Sequence, residues 1–145
     1  MSGFIVLMDG RAWAGANWAY DAAIRVIAHA LSDSKDGAIL AAWLLEQTSE
    51  AQGPGLGGVD LRELTVSNQA LFIHAARQAF IDLQSQDGRN WHDPAAFSSW
   101  RERFAILPRL IESIERGEPA STFNPHMSDV IRPTGNKSGP GWDNP

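Results

Sequence analysis

His29, His74, His92 and His126 are the side chains of this chain best suited to exchange protons near neutral pH or to hold a metal ion. No two of them stand at His-Glu-x-x-His spacing, and no two share a helix at i,i+4, so a metal site would have to be assembled from distant elements. Trp91-His92-Asp93 sets an imidazole beside a carboxylate, as a general-base pair would. Asp93 directly before Pro94, however, is better read as a helix N-cap. There is no Gly-x-Ser-x-Gly elbow and no cysteine nucleophile, and Ser98 and Ser99 fall inside a helical pattern. Gly53-Pro54-Gly55-Leu56-Gly57-Gly58 lacks a following Lys-Ser/Thr, and its proline removes a backbone donor that a phosphate cradle would use. Gly135-Asn136-Lys137-Ser138 has Asn136 where a Walker A loop needs glycine. Asp9 and Arg11 follow a short apolar run, a position where a strand end could present a site. No catalytic residue, cofactor or metal ion is expected.

Carboxylates and tryptophans point instead to binding. Residues 1–64 hold eight Asp/Glu against four Lys/Arg, whereas residues 65–116 hold six of each. Asp33, Asp36, Glu46, Glu50, Asp60 and Glu63 lie on or around the second helix and its flanking loops. They could form an acidic patch that steers a basic partner, or a solvated surface on which the charges never cluster. Six tryptophans is high for 145 residues. Trp13, Trp43 and Trp100 fall on apolar stripes and read as core. Trp18 lies off the stripe of the first helix, Trp91 in a loop, and Trp142 in Gly-Pro-Gly-Trp, all three being candidate partner contacts.

The elements that must position these groups are mostly helical. Phe4 to Met8 is a short apolar run closed by Asp9-Gly10, and its best pairing partner as a strand is Val59 to Leu64. A helix is predicted from Trp13 to Leu31, and a second from about Gly37 to Ala51 with Ile39, Leu40, Trp43 and Leu44 inward, the two forming an antiparallel hairpin. Thr65 or Ser67 caps a third helix over Val66–Gln84. Asp93-Pro94 starts a fourth, which runs to Arg116 and stops at Gly117, with a kink or break expected at Pro108. The expected fold is mainly α: a four- to five-helix, bundle-like domain over residues 1–116 with one short strand pair, and a long irregular C-terminal arm over 117–145. That arm holds five of the chain's eight prolines and no helical or strand period, so it cannot build its own core. It is expected to lie either on this chain's own body, with Trp142 as anchor and Phe123, Val130 and Ile131 as further pegs, or on a partner.

A formal net charge of −5 argues against nucleic acid, which needs a basic face. The absence of cysteine removes disulfides and thiolate metal sites. Phe4–Met8 is too short for a signal peptide or a membrane span, so a soluble cytoplasmic protein is expected.

Two stretches, Val59-Asp60-Leu61-Arg62-Glu63-Leu64-Thr65-Val66-Ser67-Asn68-Gln69-Ala70-Leu71-Phe72 and Leu107-Pro108-Arg109-Leu110-Ile111-Glu112-Ser113-Ile114-Glu115-Arg116-Gly117-Glu118-Pro119, resemble segments of small bacterial immunity proteins encoded beside polymorphic toxins. The resemblance covers under a quarter of the chain and transfers no functional residue. It implies a non-enzymatic inhibitor that binds one cognate protein, a toxin domain, as monomer or homodimer. Two alternatives stand beside it. One is a small helical enzyme or ligand-binding domain whose pocket would be lined by Tyr20, His29, His74 or Arg77. The other is an adaptor or homo-oligomer that uses the arm.

Overall fold

The computed structural model describes residues 2–119. Among them the chain forms three strands, five α-helices and one 3-10 turn, in a mainly helical domain with a small mixed sheet. The strands are β1 (Ser2–Val6), β2 (Ala12–Ala16) and β3 (Gly58–Asp60), in the order β2-β1-β3. β1 runs antiparallel to β2, with Ile5 opposite Trp13, and parallel to β3, with Ile5 beside Val59.

The expected pairing of the N-terminal run with the segment around Val59 is therefore present, but β2 lies where the helix was expected to begin. Asp9-Gly10 explains the difference. Gly10 takes φ 93°, a left-handed conformation open to glycine, and its amide donates to the Leu7 carbonyl. The Asp9 carboxylate accepts from the backbone and guanidinium nitrogens of Arg11 at 3.0 and 2.7 Å. The chain thus folds back at once, and Ala12–Ala16 becomes a strand despite the helix propensity of alanine.

The helices are α1 (Asn17–Leu31), α2 (Lys35–Leu45), α3 (Ser49–Gln52), α4 (Val66–Gln84) and α5 (Pro94–Glu115). α1 and α2 form the expected hairpin. The expected single helix to Ala51 is interrupted by Glu46–Thr48, because Thr48 opens α3 by accepting from the Ala51 amide. Groups at and beside that break find partners from elsewhere in the fold. The Asp21 carboxylate accepts from the Ser49 amide and hydroxyl at 2.7 and 2.6 Å, and the Gln47 carbonyl accepts from the Tyr20 hydroxyl and the Gly58 amide. Ile39 is 65% exposed and Trp43 only half-buried, since α2 turns Gly37, Leu40, Ala41 and Leu44 inward instead. α4 occupies the expected range with Thr65 as its cap.

α5 starts at the expected Asp93 cap and continues as one helix through Pro108, so of the expected kink or break the break does not occur. It ends in a Schellman arrangement: Gly117 at φ 73° donates to the Ile114 carbonyl and Glu118 to that of Ser113. Arg11, almost fully buried, donates from its guanidinium to the Ser113 hydroxyl and the Glu118 carbonyl. The body therefore extends at least two residues past the expected boundary at 116. The remainder of the expected arm, with Trp142, Phe123, Val130, Ile131 and His126, lies outside the described residues.

One aromatic side chain joins the two halves of the core. Tyr20 is fully enclosed. A Cβ added to Gly3 would lie 2.2 Å from its ring, and one added to Gly57 would lie 2.7 Å from it, so both glycines make room for this phenol. Gly3→Ala should therefore unfold at lower urea, with a loss of about 1–3 kcal/mol typical of an overfilled core; wild-type stability would mean that the ring can move aside. Burial, with the Asp21 carboxylate as the smaller cause, pushes the Tyr20 phenol well above its ordinary value. The folded state thus favours the protonated phenol. Its contribution is complete below pH about 10 and is lost as pH rises beyond that. Tyr20 is the chain's one tyrosine. Its tyrosinate absorbance should appear only together with alkaline unfolding, and a tyrosinate signal at pH about 10 from the folded protein would contradict this environment.

Candidate functional site

Trp18 and Trp91, 73 positions apart in sequence, meet at the N-terminal end of α1. Trp18 stands in the first turn of α1 and is 54% exposed. Its ring meets Trp91 edge-on, with centroids 6.4 Å apart at 75°. Trp91 is half-buried and rests on Phe97 at 5.2 Å and Trp100 at 5.4 Å, and Trp100 continues to Phe104 at 5.4 Å. Trp100 is itself pinned, its indole N–H donating to the Ala19 carbonyl at 2.9 Å. A continuous aromatic ladder thus leads from the core to an exposed indole. Such edge-on and tilted contacts are each worth about 0.5–1.5 kcal/mol beyond burial, so Trp18 is braced and not free to swing.

The turn after α3 is tied to Asn17, the residue before this indole. The Gly55 amide donates to the Asn17 side chain at 3.2 Å, and the next residue of the turn, Leu56, is 69% exposed. Glu50 of α3 pairs with Arg25, two turns along α1 from Trp18. Glu46, exposed at the C-terminus of α2, is tied to α3 through its carbonyl, which accepts from the Gln52 side chain at 2.6 Å. The exposed indole of Trp18 therefore shares its face of α1 with the Arg25–Glu50 pair.

Of the six carboxylates read as either one acidic patch or scattered surface charges, the pairs lie apart. Asp33 sits in the α1–α2 turn and Asp36 in the first turn of α2, with Glu46 and Glu50 at the opposite end of α2, about 16 Å away along an 11-residue helix. Asp60 is a correction: it is nearly buried, caps the 3-10 turn Leu61–Glu63 and binds the Arg62 guanidinium at 2.9 Å, so it is occupied within the chain. Glu63 is exposed in that turn. Trp142 lies outside the described residues.

The four residues named for a ligand pocket do not converge. Tyr20 is enclosed in the core, His29 and His74 are exposed, and Arg77 pairs with Glu115 on the α4–α5 side. His92 is exposed, and Asp93 caps α5 through the Ala95 amide. Among the described residues no three His, Asp or Glu side chains gather as metal ligands, and no helix is long and apolar enough to cross a membrane.

Sequence reasoning missed two assemblies. One is the Arg11–Ser113–Glu118 junction, whose members are about a hundred positions apart. The other is a groove of about 750 Å³ between α4 and α5, into which Arg101, Arg103 and Arg109 project beside an apolar floor. Three arginines in nine residues are the signal that could have flagged it.

No family model, curated protein or solved structure matches the chain.

The ladder separates support from surface. Trp91→Ala should cost about 2–3 kcal/mol in urea unfolding through lost contacts with Phe97 and Trp100, whereas Trp18→Ala should cost under about 1 kcal/mol. Equal losses would mean that Trp18 is a core residue and not a presented one.

Proposed function

We propose that this chain is a protein-binding inhibitor of the immunity type, which neutralises one cognate toxin domain by direct contact, and that the Trp18 face is where it binds. One observation carries the reading: a tryptophan more than half exposed, yet held edge-on by Trp91 on a ladder rooted in the core. An exposed indole that is already rigid loses little conformational freedom on binding, and such residues dominate interface energetics. Glu46 and Glu50 would meet basic groups around a toxin's site, chiefly speeding encounter and rejecting wrong partners. The resemblance of residues 59–72 and 107–119 to immunity proteins supports the inhibitor part of the proposal.

The test begins with capture of the partner by the tagged full-length chain. A stoichiometric protein that is toxic when expressed alone and harmless beside this chain is the expected result; a stoichiometric but harmless partner would favour an adaptor. Calorimetry with that partner should then show Trp18→Ala weakening the complex by about 2 kcal/mol or more, roughly 30-fold in Kd, at nearly unchanged fold stability. Unchanged affinity for both Trp18→Ala and Trp91→Ala would remove this face from the interface.

A further inference from the structure

The outer face of α2 is apolar without interruption. Between Asp36 and Glu46 the sequence reads Gly-Ala-Ile-Leu-Ala-Ala-Trp-Leu-Leu, with no charged, amide or hydroxyl side chain. Gly37, Leu40, Ala41 and Leu44 turn inward, and the helix rests chiefly on α1. Ala38, Ile39, Ala42 and Leu45 stay exposed on the other side, with Trp43 half-buried at the edge. A surface helix ordinarily carries polar side chains there, and a helix that is apolar all round is ordinarily covered on both sides. Charges stand only at the ends of this face. Lys35 opens α2 and Glu46 is its C-cap, about 16 Å apart along the axis and about 20° apart around it. Lys35 is the only lysine among the described residues. Both side chains are exposed, and among the described residues neither has an ion-pair or hydrogen-bond partner. Each also stands at the unfavourable end of its own helix, since a cation in the first turn and an anion at the C-cap both oppose the macrodipole.

We propose that a second copy of this chain covers the face, the two α2 helices packing antiparallel about a two-fold axis. An isologous contact needs a surface complementary to itself, and this face is. With the axis midway along α2, Lys35 of each copy meets Glu46 of the other, and Ile39 of each meets Ala42 of the other, so that a bulky side chain faces a small one. The alanines allow close approach, while Trp43 and Leu45 close the two edges. Each carboxylate then lies at the N-terminal end of the other copy's helix and each ammonium at its C-terminal end, where the macrodipoles favour them. A uniformly basic partner would leave Lys35 unmatched, and a uniformly acidic one Glu46. A second copy matches both. This inference goes beyond the toxin-binding reading and does not depend on it; of the residues used there it takes only Glu46.

Sedimentation equilibrium of the full-length chain at low salt tests it. Three turns of helix make a small interface, so a reversible dimer with a dissociation constant on the order of 10–100 μM is expected. Lys35→Glu or Glu46→Lys alone should weaken the dimer by about tenfold or more, because each turns two attractive contacts into repulsive ones. Either change suits the dipole of α2 itself, so lost association would not reflect a lost helix. An equimolar mixture of the two single variants should associate again, as should the chain that carries both changes. Ile39→Ser, at an exposed position, should abolish the dimer and leave the far-UV circular dichroism of the folded chain unchanged. A monomer at every concentration up to about 1 mM, ten times the weakest expected constant, would overturn the proposal and give this face to a different protein. Association that survives Ile39→Ser, or that ignores the charge reversals, would overturn it as well, since the contact would then lie elsewhere on the chain. So would single variants that fail to associate when mixed.

Discussion

The rest of the structure depends on Tyr20 being enclosed. Its ring fills space that Gly3 and Gly57 leave open, and its hydroxyl donates to the Gln47 carbonyl at 2.8 Å. One side chain of α1 therefore touches β1, the approach to β3 and the break between α2 and α3. The next residue, Asp21, takes the Ser49 amide and hydroxyl, so the same turn of α1 supports the start of α3. Ala19, one residue earlier, accepts the indole N–H of Trp100 and draws α5 onto α1. Three consecutive residues thus hold the sheet, the α2–α3 break and α5. A buried polar group left without its partner costs about 1–3 kcal/mol, so this turn has little freedom to shift.

That fixed turn is also what makes Trp18 a presented residue. Trp18 precedes the three anchored positions and points to the opposite side of α1, where Ala22, Arg25 and His29 are also solvent-facing or only half-buried. Its indole is exposed because its neighbours are enclosed, and it is rigid because Trp91 is seated on the aromatics of α5. The charges follow a similar division. Asp21, Asp60 and Arg11 are spent inside the chain on caps and junctions. Asp33, Asp36 and Glu46 remain exposed on the helical hairpin, while Arg109 stands at the α4–α5 groove.

The helical class, the caps at Thr65 and Asp93, and the stop at Gly117 were all legible in the chain, because capping and periodicity are local effects that act within one or two turns. The surface position of Trp18 was legible for the same reason. The strand identity of Ala12–Ala16 was not, because alanine-rich sequence satisfies a helix locally and only pairing with β1 decides otherwise. The continuity of α5 through Pro108 and the outward turn of Ile39 were likewise decided by packing against other elements. Nor could sequence reveal that Trp91 braces Trp18, that Asp60 is consumed by Arg62, or that Arg11 closes onto Ser113 and Glu118. The chain by itself determined which segments are helices and which side chains are apolar. Tertiary structure alone decided which polar groups are spent inside and which are presented, because long-range contacts, not local spacing, set burial and pairing.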